Sequence, residues 1–339
     1  MSMHFVRSLV LATSLVFALA LALTGAEPTG PAEPSPAPPT RTMPADLESG
    51  PGLSARYPLD EGIDADPAVV FVENFESEDY ASKWDQKREI GSGPFAEKGT
   101  VEVVTDPAEV HGGRRSLKIT ARMKEGATFG NASGGDLFKS FAAKGYDKLY
   151  ARYYCKFSAD SGYLSHFVTL GGLNPPTPWP NPQAGQKPNG DDRFSTELGP
   201  SYQTTEPPMG PWRWYAYWCE MTPDGHGDYW GNVFRSDPEV LAPRDRWICI
   251  EIMLQLNTLG KRDGAMAAWV DGKPLGLWTG FRWRTAEGLK ISYFWLEHFY
   301  SERGAPQLVS SCWFDDIVLA TRYIGPKVST PVEPGPAKE

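Results

Sequence analysis

Trp247-Ile248-Cys249-Ile250-Glu251-Ile252-Met253-Leu254-Gln255-Leu256-Asn257-Thr258, then Asp263-Gly264, then Ala268-Trp269-Val270-Asp271-Gly272, is the stretch from which the fold can be read. Its first part is an apolar, β-branched run closed by Asn and Thr, which predicts a strand over Trp247–Asn257. A second strand is predicted over Ala265–Val270. Asp271-Gly272 separates Ala267-Ala268-Trp269-Val270 from Pro274-Leu275-Gly276-Leu277 and has the chemistry of a tight hairpin, whose central residues both need positive φ.

The same punctuation recurs on either side. Short apolar alternations lie between Gly, Pro, Asn and Asp turns, and they predict strands over Val69–Phe75, Thr100–Thr105, Ser116–Arg122, Lys148–Phe157 and Leu164–Leu170. Further strands are predicted over Arg193–Leu198, Trp212–Met221, Leu289–Phe299 and Trp313–Thr321. No long segment has helical period, and 34 Gly with 31 Pro would break most helices. The 339 residues are 41% hydrophobic, enough to build a core and to exclude wholesale disorder. The 12 Trp, 14 Tyr and 16 Phe favour strands and offer flat faces on which sugar rings can stack. The expected architecture is all-β: a jelly-roll sandwich of two curved antiparallel sheets.

The ends read differently. Residues 1–26 have the form of a signal peptide: Arg7, the apolar run Ser8–Leu23, and small Thr24, Gly25 and Ala26 for cleavage. The rival reading is an uncleaved anchor, for which the run is short. Residues 27–67, with Pro28, Pro31, Pro34, Pro36, Pro38 and Pro39, read as a disordered Pro-rich linker. Residues 68–326 form the folded domain and 327–339 a flexible tail. The expected location is secreted or periplasmic, with no membrane insertion once the leader is removed. A net charge of -9 argues against nucleic acid as a partner. Cys155, Cys219, Cys249 and Cys312 permit two disulfides or four buried thiols, and their spacing is not that of a zinc site.

Other phrases, in order, join the opening stretch: Val70-Phe71-Val72-Glu73-Asn74-Phe75, Gly112-Gly113-Arg114-Arg115-Ser116-Leu117-Lys118, Tyr150-Ala151-Arg152-Tyr153-Tyr154, Ile291-Ser292-Tyr293-Phe294 and Phe314-Asp315-Asp316-Ile317-Val318. Together they resemble the concanavalin A-like jelly-roll polysaccharide lyases that cut alginate and glucuronan. The resemblance implies β-elimination on a uronate-containing polysaccharide, with no required cofactor. It also implies a possible structural calcium ion where the first and last strands meet, near Glu73 and Asp315 or Asp316. The chain departs from that pattern in two places. Leu173, in Gly171-Gly172-Leu173, stands where the lyases carry a catalytic lysine, and Glu197, in Arg193-Phe194-Ser195-Thr196-Glu197-Leu198, stands where they carry arginine. Ser195 and the pair Tyr215-Ala216-Tyr217 match.

A uronate lyase must offset the sugar carboxylate, remove the adjacent proton and protonate the departing oxygen. Period-two geometry puts Arg193, Ser195 and Glu197 on one face of their strand, and Arg213, Tyr215 and Tyr217 on one face of theirs. Arg152 and Tyr154 share a face of the strand before. The expected groove is lined by Arg152, Tyr154, Arg193, Ser195, Glu197, Tyr215 and Tyr217. Tyr215, Tyr217, His166 and Arg193 are the candidates for catalysis, with His166 as a base in place of the missing lysine and Arg193 or Arg152 at the sugar carboxylate. Arg193 and Glu197 could instead form a same-face ion pair of little consequence. Trp179, in the Pro-rich loop Asn174–Asp192, and Tyr229 and Trp230 are candidates for stacking on sugars. His226 reads as a turn residue, and His298, beside Glu297, as a strand histidine. Two other functions compete: a non-catalytic glycan-binding jelly roll, and a glycoside hydrolase with Glu197 and a second acid as its pair. A monomer is expected.

Overall fold

The computed structural model describes residues 37–127, 130–141, 143–162, 164–177, 184–200, 208–301 and 308–330. These residues contain short 3-10 turns and strands but no α-helix. In chain order the strands are β1 (Thr40–Thr42), β2 (Val69–Glu73), β3 (Gln86–Ser92), β4 (Ala96–Val104), β5 (Ser116–Met123), β6 (Ala132–Ser140), β7 (Lys148–Phe157) and β8 (Val168–Leu173). They continue with β9 (Arg193–Pro200), β10 (Trp212–Tyr217), β11 (Asn232–Arg235), β12 (Trp247–Gln255), β13 (Gly264–Val270), β14 (Lys273–Phe281), β15 (Tyr293–Ser301) and β16 (Val309–Ala320). All pairings are antiparallel.

One sheet has the order β1-β14-β13-β12-β7-β16-β5-β4, with β2 also on β16; the other has the order β11-β10-β9-β8-β15-β6-β3. The opening stretch forms β12, β13 and β14, and the hairpin turn has Asp271 at φ 50° and Gly272 at φ 72°, as the Asp-Gly pair requires. Between the sheets lies a core of alternating inward residues. It includes Tyr153, Phe157, Ile250 and Ile252 from one side, and Phe194, Leu198, Trp212, Trp214, Phe294 and Leu296 from the other.

Sequence reading missed β3, an edge strand of the site-bearing sheet, and β6, which lies between β3 and β15. Their residues, Gln-Lys-Arg-Glu-Ile-Gly-Ser and Ala-Ser-Gly-Gly-Asp-Leu-Phe-Lys-Ser, have little intrinsic strand preference. Pairing of β6 along the whole length of β15 compensates, from Tyr293↔Ser140 to Ser301↔Ala132.

The linker reading is corrected for the described part of residues 27–67. Thr40–Thr42 pair with Leu277–Thr279, and Arg41 Nε donates to the Leu275 carbonyl at 3.0 Å. Leu53 and Ile63 are buried in a second apolar cluster with Tyr150, Trp269, Tyr323 and Ile324, on the outer face of the nine-stranded sheet. Apolar residues between the prolines are therefore sufficient to dock this segment as a strap. The tail is likewise held at its start: Lys327 N donates to the Tyr154 hydroxyl and Leu59 N to the Val328 carbonyl. The signal-peptide reading concerns residues outside those described. Among the described residues no helix is long and apolar enough to cross a membrane. Of the two cysteine readings the structure has thiols: all four are free, with Cys155, Cys249 and Cys312 buried.

Candidate active site

The outer face of the seven-stranded sheet carries a pocket of about 330 Å³. Antiparallel register explains its lining. Tyr215 of β10 lies opposite Glu197 of β9, Glu197 opposite Thr169 of β8, and Thr169 opposite Trp295 of β15. A second row runs Tyr217, Ser195, Gly171 and Tyr293. Residues directly opposite one another point to the same side, so both rows face outward while Phe194, Trp214 and Leu296 face the core. Two glycines make room. A Cβ on Gly171 would collide with the Tyr293 ring, and a Cβ on Gly231 would sit 2.6 Å from Tyr215 Cζ.

The pocket brings together His166, Arg193, Ser195, Glu197, Tyr215, Tyr217 and Trp230 among the residues singled out from sequence, with Leu173 beside them. His166 Nδ1 lies 2.8 Å from Glu197 Oε2. With Glu197 as a carboxylate, which only accepts, Nδ1 carries the proton and the Nε2 lone pair is left for chemistry. The His166 side chain is 44% exposed and that of Glu197 only 7%, so the carboxylate is buried behind a ring that solutes can reach. The Tyr215 and Tyr217 hydroxyls are 3.1 Å apart. Burial raises both phenols above their ordinary value, so at neutral pH both hydroxyls keep their protons and can donate hydrogen bonds. Trp230 is 45% exposed at the pocket wall.

The ion pair that is the alternative reading of Arg193 and Glu197 does not form. They are four residues apart along an extended strand, too far to meet. Arg193 instead pairs with Asp192 at 2.7 Å and donates to the Gln186 carbonyl at 2.9 Å, while Glu197 holds His166.

Arg152 and Tyr154 do not belong to this pocket, which corrects their assignment to the groove. Period-two alternation was right about their shared face but not about the sheet: β7 lies between β12 and β16, in the nine-stranded sheet. Arg152 is fully buried under the strap. Its guanidinium pairs with Asp60 and also donates to Ser54 Oγ at 3.3 Å and to the Asp316 carbonyl at 3.0 Å. Tyr154 stacks on His111 at 3.7 Å. Trp179 lies outside the described residues. Glu73 and Asp316 sit on paired strands at the seam. Glu73 accepts from Phe75 N and has Lys83 at 3.6 Å, whereas Asp316 binds His111 and Lys327. A calcium ion there would have to displace these side chains. No group of three or more potential metal-ligating His, Cys, Asp or Glu occurs among the described residues.

His298 faces the core. Its Nε2–H donates to the Ser310 carbonyl at 3.1 Å, and burial lowers its pKa to about 4, keeping it neutral. His226 is a turn residue whose amide is held by Asp224 Oδ1.

Sequence reading missed the β15 and β3 walls. Tyr293, Trp295, Glu297 and Phe299 alternate outward along β15 and line the pocket, with Arg88 and Ile90 from β3. Glu297 is 3% exposed, and burial pushes its carboxyl well above the usual range. It stands opposite Asp136 of β6, which accepts two bonds from Arg88, at 3.1 and 2.6 Å, through Oδ2. The period-two signal of β15 was available, but β3, which joins the sheet through β6, could not be placed on the same wall from sequence.

No protein-family model and no curated sequence matches the chain. Solved structures do. An alginate lyase from Chlorella virus is 17% identical, with a TM-score of 0.52 over 75% of this chain and 99% of that one. An endo-β-1,4-glucuronan lyase from the fungus Trichoderma reesei (13% identity, TM-score 0.45, 75% and 95% coverage) also aligns. So does a marine alginate lyase from Aplysia kurodai (16% identity, TM-score 0.46, 65% and 87% coverage). With the sheet order above, the likeness to the Chlorella virus enzyme establishes that this chain has the jelly-roll fold on which that alginate lyase is built.

Proposed function

We propose that this chain is an exported polysaccharide lyase that cleaves a uronate-containing chain by β-elimination in the pocket on the seven-stranded sheet. The observation that carries the reading is the presence, on one open pocket wall, of an oriented base and a pair of phenolic acids: His166 held by Glu197, and Tyr217 hydrogen-bonded to Tyr215. His166 Nε2 takes the proton from the carbon bearing the carboxyl. The C–H electron pair becomes a ring double bond, the bond to the glycosidic oxygen breaks, and Tyr217 supplies that oxygen with a proton. Tyr215 donates to or accepts from Tyr217 and fixes its hydroxyl. Trp230, Trp295 and Phe299 offer aromatic faces to neighbouring sugars. Leu173 cannot carry a proton, and His166 takes over the task of the lysine it replaces.

The test is incubation with alginate, glucuronan and pectin while following the ultraviolet absorbance of the unsaturated product. Absorbance should rise, and Tyr217→Phe should abolish it while the circular dichroism spectrum stays unchanged. Wild-type rates in that variant would remove Tyr217 from the mechanism. Binding without absorbance would identify a glycan-binding module, and new reducing ends without absorbance a hydrolase.

A further inference from the structure

The charges of the pocket specify more than the reaction class. Arg88 and Arg193 are the arginines that line it, and it has no lining lysine among the described residues. Each arginine already has a carboxylate of its own: Arg88 is doubly bonded to Asp136 and Arg193 is bonded to Asp192. Leu173 lies directly opposite Arg193 in the sheet and presents only hydrocarbon. Arg213 packs its guanidinium over the Tyr215 ring at 5.2 Å and is not part of the lining. The lining acids are Glu197, bonded to His166, and Glu297, whose burial favours its protonated form. The rest of the lining is apolar or aromatic at Ile90, Trp230, Trp295 and Phe299, and its other polar groups are the neutral hydroxyls of Thr169, Ser195, Tyr215, Tyr217 and Tyr293 beside His166. A free sugar carboxylate brought here would lose water, meet among the described lining residues no arginine or lysine without a carboxylate of its own, and face Glu197.

We infer that the sugar unit cleaved in this pocket carries its carboxyl as a neutral ester, so that the substrate is an esterified uronan. This rests on the lyase reading and deepens it. An ester has no charge to offset, and its carbonyl withdraws electrons from the adjacent C–H bond more strongly than a carboxylate does. The balance of the step is unchanged: the C–H bond breaks to His166, a carbon–carbon double bond forms, and the bond to the leaving oxygen breaks with protonation of that oxygen. The ester group itself is neither made nor broken, and no oxidant or co-reactant enters. Glu297 fits the same picture. Burial favours its protonated form, in which it is a hydrogen-bond donor.

The experiment compares one polymer in two forms: methyl-esterified homogalacturonan and the same material after saponification, with an esterified and a free alginate as a second pair. Affinity electrophoresis of the wild-type chain reads binding, and ultraviolet absorbance reads elimination. At least one ester should be bound about tenfold or more tightly than its free acid. Leu173→Lys should reduce that preference by restoring a cation opposite Arg193. Equal or tighter binding of the free acid in both pairs, or no binding of either form, overturns the inference, as does an unchanged preference in a folded Leu173→Lys variant. Preferential binding of an ester without unsaturated product keeps the inference about charge and overturns the lyase reading. Product formed faster from the free acids keeps the lyase reading and overturns the inference.

Discussion

The two outer faces of this sandwich are built from the same kind of strand. β7 presents Tyr150, Arg152 and Tyr154 outward from one sheet; β9 and β10 present Arg193, Ser195, Glu197, Tyr215 and Tyr217 outward from the other. On the first face the chain covers its own residues. The strap around Leu53, Ser54 and Asp60 and the returning segment from Tyr323 to Val328 seal Arg152 completely. On the second face the row lines a pocket, and His166 and Trp230 stay half-exposed. Polar and aromatic alternation thus becomes a structural latch where the backbone returns over it, and a pocket where it does not. The same chemistry follows opposite rules on the two sides. A buried arginine must be paired to be tolerated at all, whereas an accessible histidine backed by a buried carboxylate is free to exchange protons.

The comparison is broken most decisively at His166. His166→Ala should lower kcat by about 10²- to 10⁴-fold with little change in thermal stability, and Glu197→Gln should lower it less, both measured by unsaturated-product formation. Loss of stability in place of activity would make the dyad a latch like that of the other face. Arg152→Ala should behave the other way. Leaving Asp60 without its buried partner should cost about 3–5 kcal/mol in denaturant unfolding, with kcat of the remaining folded protein unchanged. A selective loss of activity in Arg152→Ala would return that residue to the site.

A third, smaller effect sharpens the covered face through pH. Glu251 stands opposite Arg152 and accepts the amides of Ile324 and Gly325 at 2.8 Å each. Burial outweighs these bonds and raises its carboxyl from 4.5 to about 7. Between those values the folded chain keeps a proton that the unfolded chain releases, so rising pH favours unfolding, by at most about 1.4 kcal/mol per pH unit. The stability of wild type relative to Glu251→Gln should therefore fall as pH rises from about 4.5 to about 7. A difference that is flat over that interval would show that the amides hold Glu251 ionised throughout. The smallest effect belongs to Trp230. Removing one exposed aromatic wall in Trp230→Ala should raise KM about two- to tenfold with kcat unchanged, and an unaltered KM would place the sugar elsewhere on the face.

Much of this was legible in the residues, but unevenly. β7 was readable to its ends because Lys148–Phe157 alternates without interruption, and the Asp271-Gly272 turn because Asp-Gly is one of the few pairs that accept positive φ at both positions. β6, with its central Gly134-Gly135, carries no such signal and exists through its partner β15. Tyr215 and Tyr217 could be assigned to one face from their spacing. Glu297, on another wall of the same pocket, was harder to assign, since it lies on a strand 80 residues later. The Glu197–His166 bond joins residues 31 apart and the Arg152–Asp60 pair residues 92 apart. Neither separation leaves a local pattern to read.

The sequence alone therefore determined the strongly patterned strands such as β7, β9, β10 and β12, the hairpin turn and which side chains share a face, because a strand's period of two is a property of its own backbone. It also showed where a lysine and an arginine of the resembling lyases are missing. Only the tertiary structure decided which sheet each strand joins, which face the N-terminal strap covers, and which carboxylate each arginine takes. Those outcomes depend on contacts between segments distant along the chain, and they distinguish the sealed Arg152 from the open His166.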